Sequence, residues 1–187
     1  MSLTEYRLGN LISLSEAKNT DDNFGLENLK GISIKKRFIQ TKADMEGVSL
    51  KSYLIVPPDY FAYVTITSRN GEKITIAHNN TNDTYIVSSS YVVFNVTRQD
   101  ALCSSYLFMY FNRPEFDRYS RFCSWGSARE AFTWDEMCDI RIKLPSISVQ
   151  QKYADIFMSM GNSEAYRHLL DDICPILIKG SIEEAGA

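Results

Sequence analysis

The residues from which a catalytic or metal site could be built are few in this chain of 187 residues. It has 2 histidines, His78 and His168, and 4 cysteines, at positions 103, 123, 138 and 174. A Ser or Cys nucleophile needs a neighbouring base, and neither histidine has a cysteine at ligand spacing. There is also no Cys-x-x-Cys pair and no glycine-rich phosphate loop. The sequence therefore predicts no catalytic residue, no metal site and no cofactor, with His78 exposed or capping a strand end and Cys103, Cys123 and Cys138 acting as small core residues.

Basic and amide side chains offer a different chemistry, the binding of nucleic acid. The net charge of -3 argues weakly against it, because 20 Lys and Arg face 23 Asp and Glu. Residues 144–187, however, hold three basic and six acidic residues, which leaves 17 of each sign in residues 1–143. Residues 35–73 alone hold seven basic residues against four acidic ones. The positive excess therefore lies in one section of the chain, although such a section can also be an ordinary solvated face.

Strand patterns dominate about the first 100 residues. Alternating, β-branched and aromatic residues predict strands over residues 50–56, 60–68, 73–77, 85–87 and 91–96. Asn70-Gly71 lies between two of these runs and predicts a hairpin turn.

Helical patterns follow residue 100. Helices are expected at 104–112 and from Pro114, a favoured first helical position with Glu115 and Asp117 behind it. Capping boxes at Thr133-x-x-Glu136 and Ser148-x-x-Gln151 predict two more helices, with a strand over 140–144 between them. The expected fold is α+β: a mixed, mostly β domain over residues 1–145, then a helical segment over residues 146–187.

The helical segment carries an apolar stripe that something must cover. Its members recur at helical spacing and are interrupted at Gly161-Asn162 and Cys174-Pro175. The stripe either folds back on its own domain or pairs with a partner helix. A location in the cytoplasm, without membrane contact, is expected because no apolar run approaches ~18 residues and the first residues lack the features of a signal peptide.

Several segments resemble the DNA specificity subunits of type I restriction–modification enzymes. Tyr6-Arg7-Leu8-Gly9-Asn10 is similar to the start of their target recognition domain, and further similar stretches are 31–43, 56–63 and 67–74. The most specific stretches are Arg113-Pro114-Glu115-Phe116-Asp117-Arg118-Tyr119, residues 125–130, residues 134–137 and Ile142-Lys143-Leu144-Pro145, which precedes the Gln150-Gln151 pair. The order of these stretches is more specific than any one of them.

This resemblance implies a non-catalytic protein that binds double-stranded DNA and selects its sequence, while separate modification and restriction subunits methylate and cleave. A full specificity subunit usually carries two recognition domains, each followed by a helix. With one domain and one helical segment, this chain resembles a half subunit, which favours a homodimer formed through the C-terminal helices. A protein-interaction module without DNA contact, using the aromatic-rich surface and the helical segment, is the alternative of a different class.

The candidate DNA-binding residues lie in three segments. In the first, Lys35, Lys36, Arg37 and Lys42 are expected to bind phosphate, and Gln40 and Thr41 to reach bases. At the predicted hairpin tip, Arg69 and Asn70 are preferred for base reading, and Thr67 and Lys73 adjoin them. The third is a polar, Gly-containing loop between helices, with Ser124, Ser127 and Arg129.

Each assignment has a plainer alternative. The lysines can be ordinary solvated cations, and Arg69 can be a charge that flanks a turn. Arg129 can instead pair internally with Glu130 or Asp135.

Overall fold

The computed structural model describes residues 3–41, 47–66, 73–124 and 130–160. The strands there are β1 (Thr4–Arg7), β2 (Ile12–Ser15), β3 (Lys30–Ile32), β4 (Phe38–Gln40), β5 (Leu54–Val56), β6 (Phe61–Val64), β7 (Ile76–His78), β8 (Tyr85–Val87), β9 (Tyr91–Val96) and β10 (Arg141–Leu144). The helices are α1 (Ser104–Phe111), α2 (Pro114–Phe122), α3 (Trp134–Asp139) and α4 (Ile147–Met160), and a 3-10 turn covers Leu8–Asn10. The expected α+β class is confirmed.

A four-stranded antiparallel sheet forms the centre of the domain. Its strand order is β2-β9-β6-β7, and Phe61 lies opposite both Phe94 and His78. Phe61 stacks on Phe94 with ring centroids 4.9 Å apart, and Phe111 of α1 meets both rings edge-on. These fully buried rings form the main core, where offset and edge-on contacts add to the free energy gained by burial.

Three antiparallel strand pairs surround this sheet: β1 with β10, β3 with β4, and β5 with β8. In β10 the burial alternates, with Arg141 and Lys143 exposed and Ile142 and Leu144 buried. That alternation confirms the strand expected over 140–144 and places its apolar side chains in the main core.

The predicted β6–β7 hairpin is confirmed in its described part. The two strands pair antiparallel, with Tyr63 opposite Ile76, and the Val64 amide donates to the Thr75 carbonyl at 2.9 Å. Residues 67–72, with the Asn70-Gly71 turn, lie outside the described residues.

One of the two predicted capping boxes is present. The Glu136 amide donates to Thr133 Oγ1 at 3.3 Å, and the Thr133 amide donates to Glu136 Oε2 at 2.6 Å. The prediction of Ser148 as an N-cap is wrong, because α4 begins at Ile147 and Ser148 lies inside it. The amides of Val149 and Gln150 both donate to the Ser146 carbonyl, so the helix starts directly after Pro145-Ser146.

Helix α4 folds back on the domain. Gln150 is fully buried: its Nε2 donates to the carbonyls of Ala101 at 2.8 Å and Pro145 at 2.9 Å, and its Oε1 accepts from the Cys103 amide at 3.0 Å. Further along, the Phe157 ring lies 6.3 Å from the ring of Phe108 in α1. The first of the two alternatives for the apolar stripe therefore holds for residues 147–160. Residues 161–187 lie outside the described residues, and the domain boundary at residue 145 stays a prediction.

Candidate nucleic-acid interface

The described ends of two candidate segments are paired with each other. Ile66, directly before residues 67–72, forms an antiparallel bridge with Ala131, and the Phe132 amide donates to the Thr65 carbonyl at 2.8 Å. Ala131 follows residues 125–129 by one residue. Paired residues in an antiparallel ladder lie about 5 Å apart, so the stems of the hairpin tip and of the Gly-containing loop meet. The candidates Thr67, Arg69, Asn70, Ser127 and Arg129 themselves lie outside the described residues.

The β3–β4 connection is a tight turn that displays cations. The Ser33 amide donates to the Arg37 carbonyl at 2.9 Å, and the Lys36 amide donates to the Ser33 carbonyl at 2.9 Å. Lys36 has a φ of 57°, in the left-handed region that non-glycine residues seldom adopt. Lys35 and Arg37, on either side of it, are exposed. Their expected contacts with phosphate stay a prediction.

The expectation that Lys36 binds phosphate is wrong. Its side chain is only 4% exposed, and its Nζ donates to Asp117 Oδ1 at 2.7 Å and to the Phe111 carbonyl at 2.6 Å. Burial lowers the pKa of Lys36 from its ordinary value, with the Asp117 carboxylate opposing that shift. The ammonium group is therefore a buried structural cation that no external phosphate can reach.

Lys73 and the stem of the hairpin lie at the same buried ion pair. Lys73 is exposed, while the amide of the next residue, Ile74, donates to Asp117 Oδ1 at 3.1 Å. The charge of Lys73 is also among the groups that lower the pKa of Lys36, after burial. The stem of the hairpin and the β3–β4 turn therefore meet at one carboxylate of α2.

Three other candidates have partners within the fold. Gln40 is exposed, with its Oε1 accepting from Lys30 Nζ at 2.8 Å and its Nε2 donating to the Leu26 carbonyl at 3.4 Å. Thr41 is half-buried next to it, and Lys42 lies outside the described residues. Ser124 is half-buried at the end of α2, where its Oγ donates to the Ser120 carbonyl at 2.6 Å. Gln40 would have to exchange these bonds to read a base.

Solved structures share this fold over most of the chain. One, from a study of complex assembly and conformational transition of the type I R-M system, has a TM-score of 0.62 at 15% identity and covers 98% of this chain. The HsdS subunit from Thermoanaerobacter tengcongensis has a TM-score of 0.61 at 15% identity over 97% of it. The type I restriction–modification S subunit from M. genitalium has a TM-score of 0.52 at 9% identity over 87%.

The fold is that of a type I specificity subunit. The resemblance inferred from the sequence is therefore confirmed for the fold. This chain spans about half the length of the structures it matches, 49%, 49% and 40% of them respectively. No family model matches the sequence. No curated protein sequence matches it either.

Within this specificity-subunit fold, His78 is not exposed as expected. Its side chain is 3% exposed and stacks on Phe61 with centroids 4.5 Å apart, and its Nε2 lies 2.9 Å from Asp59 Oδ1. Ser104 Oγ donates to Asp59 Oδ2 at 2.8 Å. Serine, aspartate and histidine thus adjoin, but the serine hydroxyl bonds to the carboxylate and not to the imidazole. For a base to activate the serine, the hydroxyl must bond to the imidazole and the imidazole to the carboxylate. This group therefore has a structural role.

The same carboxyl group has a shifted pKa. Burial favours its neutral form, but hydrogen bonds from His78 and Ser104 outweigh burial and hold the pKa of Asp59 below its ordinary value.

Across the described ranges, no group of three or more His, Cys, Asp or Glu residues could hold a metal ion. No helix in those ranges is both long enough and apolar enough to cross a bilayer.

Sequence reasoning missed Asp117, the buried carboxylate that joins the β3–β4 turn to the hairpin stem. Its position in the first turn of α2, behind Pro114, is explained equally well by the helix dipole, which favours acidic residues there. The only further signal was its place in the most specific stretch of the resemblance. The partners Lys36 and Ile74 are 81 and 43 residues away in sequence, and no local pattern links positions so far apart.

Proposed function

We propose that this chain is one half of a type I specificity subunit and recognises a sequence in double-stranded DNA. The observation that carries the proposal is the likeness in fold, which covers 98% of this chain and 49% of its neighbour. A chain that matches half of a specificity subunit supplies one recognition unit. In this role it is non-catalytic, acts in the cytoplasm, and directs separate modification and restriction subunits.

The geometry of the described residues supports a DNA-binding surface. The β3–β4 turn carries exposed Lys35 and Arg37, and the hairpin stem carries exposed Lys73. The turn and the stem both contact α2, and the loop that begins at Ser124 follows α2. We assign phosphate contacts to these cations and to Lys42, and base contacts to Arg69 and Asn70, with Gln40, Thr41, Thr67, Ser124, Ser127 and Arg129 as further contacts.

Two copies would restore the full length of the neighbouring proteins. Within the C-terminal segment, residues 146–187, we place the homodimer contact in the part that follows the portion of α4 packed on α1. Light scattering coupled to size exclusion tests this: we expect the mass of two chains, and a single-chain mass at micromolar concentration contradicts it.

DNA recognition is tested in two steps. Methylation sequencing of the host genome gives the target motif, and fluorescence anisotropy then compares duplexes with the intact and the scrambled motif. We expect preference for the intact motif and binding that weakens steeply with salt, because bound protein releases counterions from DNA. Arg69→Ala should abolish the preference, whereas Lys35→Ala should weaken both duplexes alike and reduce the salt slope by about 1.

Lys152→Ala is the matched control, because Lys152 is an exposed cation on α4 outside the three segments. It should leave both affinities unchanged. Equal losses on both duplexes from Arg69→Ala would remove its base-reading role. Absence of any salt-dependent duplex binding, with capture of partner subunits retained, would replace DNA recognition by the protein-interaction alternative.

A further inference from the structure

One carboxylate oxygen joins two of the candidate DNA-contacting segments to a third. Asp117 Oδ1 accepts from Lys36 Nζ at 2.7 Å and from the Ile74 amide at 3.1 Å. Asp117 is on α2, and the described chain after α2 ends at Ser124, before residues 125–129. The turn with Lys35 and Arg37, the stem of the hairpin and the helix that leads to the loop therefore converge on a single side chain.

This junction is buried and hydrogen-bonded. The Asp117 side chain is 12% exposed and that of Lys36 is 4% exposed. The Phe111 carbonyl at the end of α1 accepts a second hydrogen bond from Lys36 Nζ, and Ser120 Oγ donates to the Asp117 carbonyl at 3.0 Å. Charge-assisted hydrogen bonds are short and about twice as strong as neutral ones, so the β3–β4 turn, the hairpin stem at Ile74 and α2 are held in one arrangement.

The junction also determines which cations of the turn face outward. Lys36 adopts a left-handed φ of 57° and sends its side chain inward to Asp117. The two residues that flank it, Lys35 and Arg37, are exposed. The inward bond of Lys36 adds to the two backbone hydrogen bonds of the turn in holding a conformation that L-residues other than Gly, Asn and Asp rarely adopt.

We propose that Asp117 is a positioning residue for DNA readout: by holding Lys36 and the Ile74 amide, it fixes the three segments in one register on the DNA. This inference rests on the proposed function. Base contacts need side chains held to within about half an ångström, so separate segments must be locked together before they can read one sequence. Asp117 touches no DNA itself, and its effect is on selectivity.

The test compares selectivity, the ratio of affinities for intact-motif and scrambled duplexes, in variants that remain folded. Asp117→Asn keeps the shape and the acceptor for the Ile74 amide but leaves Lys36 without its counter-charge. We expect selectivity to fall at least ~10-fold, with affinity for scrambled DNA changed less than ~3-fold, because the exposed cations remain. Glu115→Gln, a half-buried carboxylate on the same helix that pairs with Arg113 and Arg118, is the matched control and should leave selectivity unchanged.

A second variant separates positioning from stability. Lys36→Met combined with Asp117→Leu removes both buried charges, and such apolar replacements are often neutral or stabilising. It should fold and still lose selectivity, because the bonds to Ile74 and Phe111 are gone. Ile86→Ala, in the separate core cluster of Leu29, Leu50 and Ile86, lowers stability without touching Asp117 and should keep selectivity. Selectivity retained in the double variant, or lost equally in Ile86→Ala, overturns the positioning role.

Hydrogen exchange distinguishes this result from failure of the proposed function. In Asp117→Asn, amides in residues 33–37 and 73–76 should exchange faster together, whether or not DNA is bound. If wild-type protein shows no selectivity, the proposed function and the role of Asp117 in readout are both wrong. The exchange pattern then shows only that Asp117 stabilises the junction. Selective wild-type DNA binding with unchanged exchange and selectivity in Asp117→Asn overturns the positioning role alone.

Discussion

The Lys36 ammonium lies 2.7 Å from Asp117 Oδ1, although 81 residues separate the two in sequence. Both side chains are buried, so neither charge can be compensated by water when the other is removed. This ion pair links the β3–β4 turn to α2 and makes the stability of the turn dependent on a distant helix.

Lys36→Ala is therefore expected to lower the free energy of unfolding by about 3–5 kcal/mol, the usual cost of leaving one partner of a buried ion pair alone. Urea denaturation followed by circular dichroism measures it. Lys35→Ala, at the exposed neighbouring position, serves as the control and should stay within about 0.5 kcal/mol of wild type. Equal effects at the two positions would contradict the assignment of Lys36 to the core.

Asn79→Ala should be among the more destabilising substitutions outside the apolar core. The Asn79 side chain is fully buried, and its Nδ2 donates to the carbonyls of Val56, Pro57 and Asp83 at 3.1, 3.1 and 2.8 Å. A buried polar group that loses its partner costs about 1–3 kcal/mol, so a loss of at least about 2 kcal/mol is expected. Asn80→Ala, at the exposed next residue, is the control, and thermal and urea unfolding of both variants give the comparison.

Acid should weaken the fold through Asp59. Because its pKa is lowered in the folded state, the ionised carboxylate contributes stability that is present above its ordinary pKa of 3.8 and is lost as pH falls through the folded-state value. Asp59→Asn should therefore flatten the stability profile below about pH 4. Asn also tolerates the φ of 68° at this position.

Ser104→Ala removes one of the two hydrogen bonds that lower the pKa of Asp59 and should give an intermediate profile. Urea midpoints measured from pH 2.5 to pH 7 test the series. Parallel profiles for wild type and Asp59→Asn would refute the assignment.

Gln150→Leu should release α4 from the domain. The substitution leaves the Ala101 and Pro145 carbonyls and the Cys103 amide without their partner. At about 1–3 kcal/mol for each buried group, amides of α4 should exchange at least ~10-fold faster. Gln151→Leu is the control, because Gln151 is exposed: its Nε2 donates to Asp155 Oδ1 within α4, and its Oε1 accepts a weak bond from Cys103 Sγ at 3.4 Å. Unchanged exchange in Gln150→Leu would show that apolar contacts alone hold the helix.

The strands and helices were predictable where their signals are local. The alternation in 140–144, the runs that became β8 and β9, and the Thr133 capping box each depend on residues within one turn or one strand. The Ser148 box failed because the same residue pattern can start a helix or lie inside one, and Pro145-Ser146 decided the start.

The residue types of the candidate site could be predicted from the sequence. Which of these side chains face solvent and which are buried could not. Lys35, Lys36 and Arg37 are three consecutive cations that composition cannot tell apart, and only the left-handed turn sends the middle one inward. Similarly, His78 and Asp59 are 19 residues apart in sequence and meet only because β6 and β7 pair. Contacts between distant segments decide which charges are buried, and no local pattern records them.

The pairing of β1 with β10 has a consequence for how such a domain can be combined with others. Thr4 lies opposite Leu144 across the antiparallel pair, so the backbone enters and leaves the segment between β1 and β10 at neighbouring points, about 5 Å apart. A unit with adjacent ends can be spliced into another polypeptide, or exchanged for an equivalent unit, without rearranging what surrounds it. Under the proposed function, replacement of everything between these two strands is thus a compact way to give an existing assembly a new target.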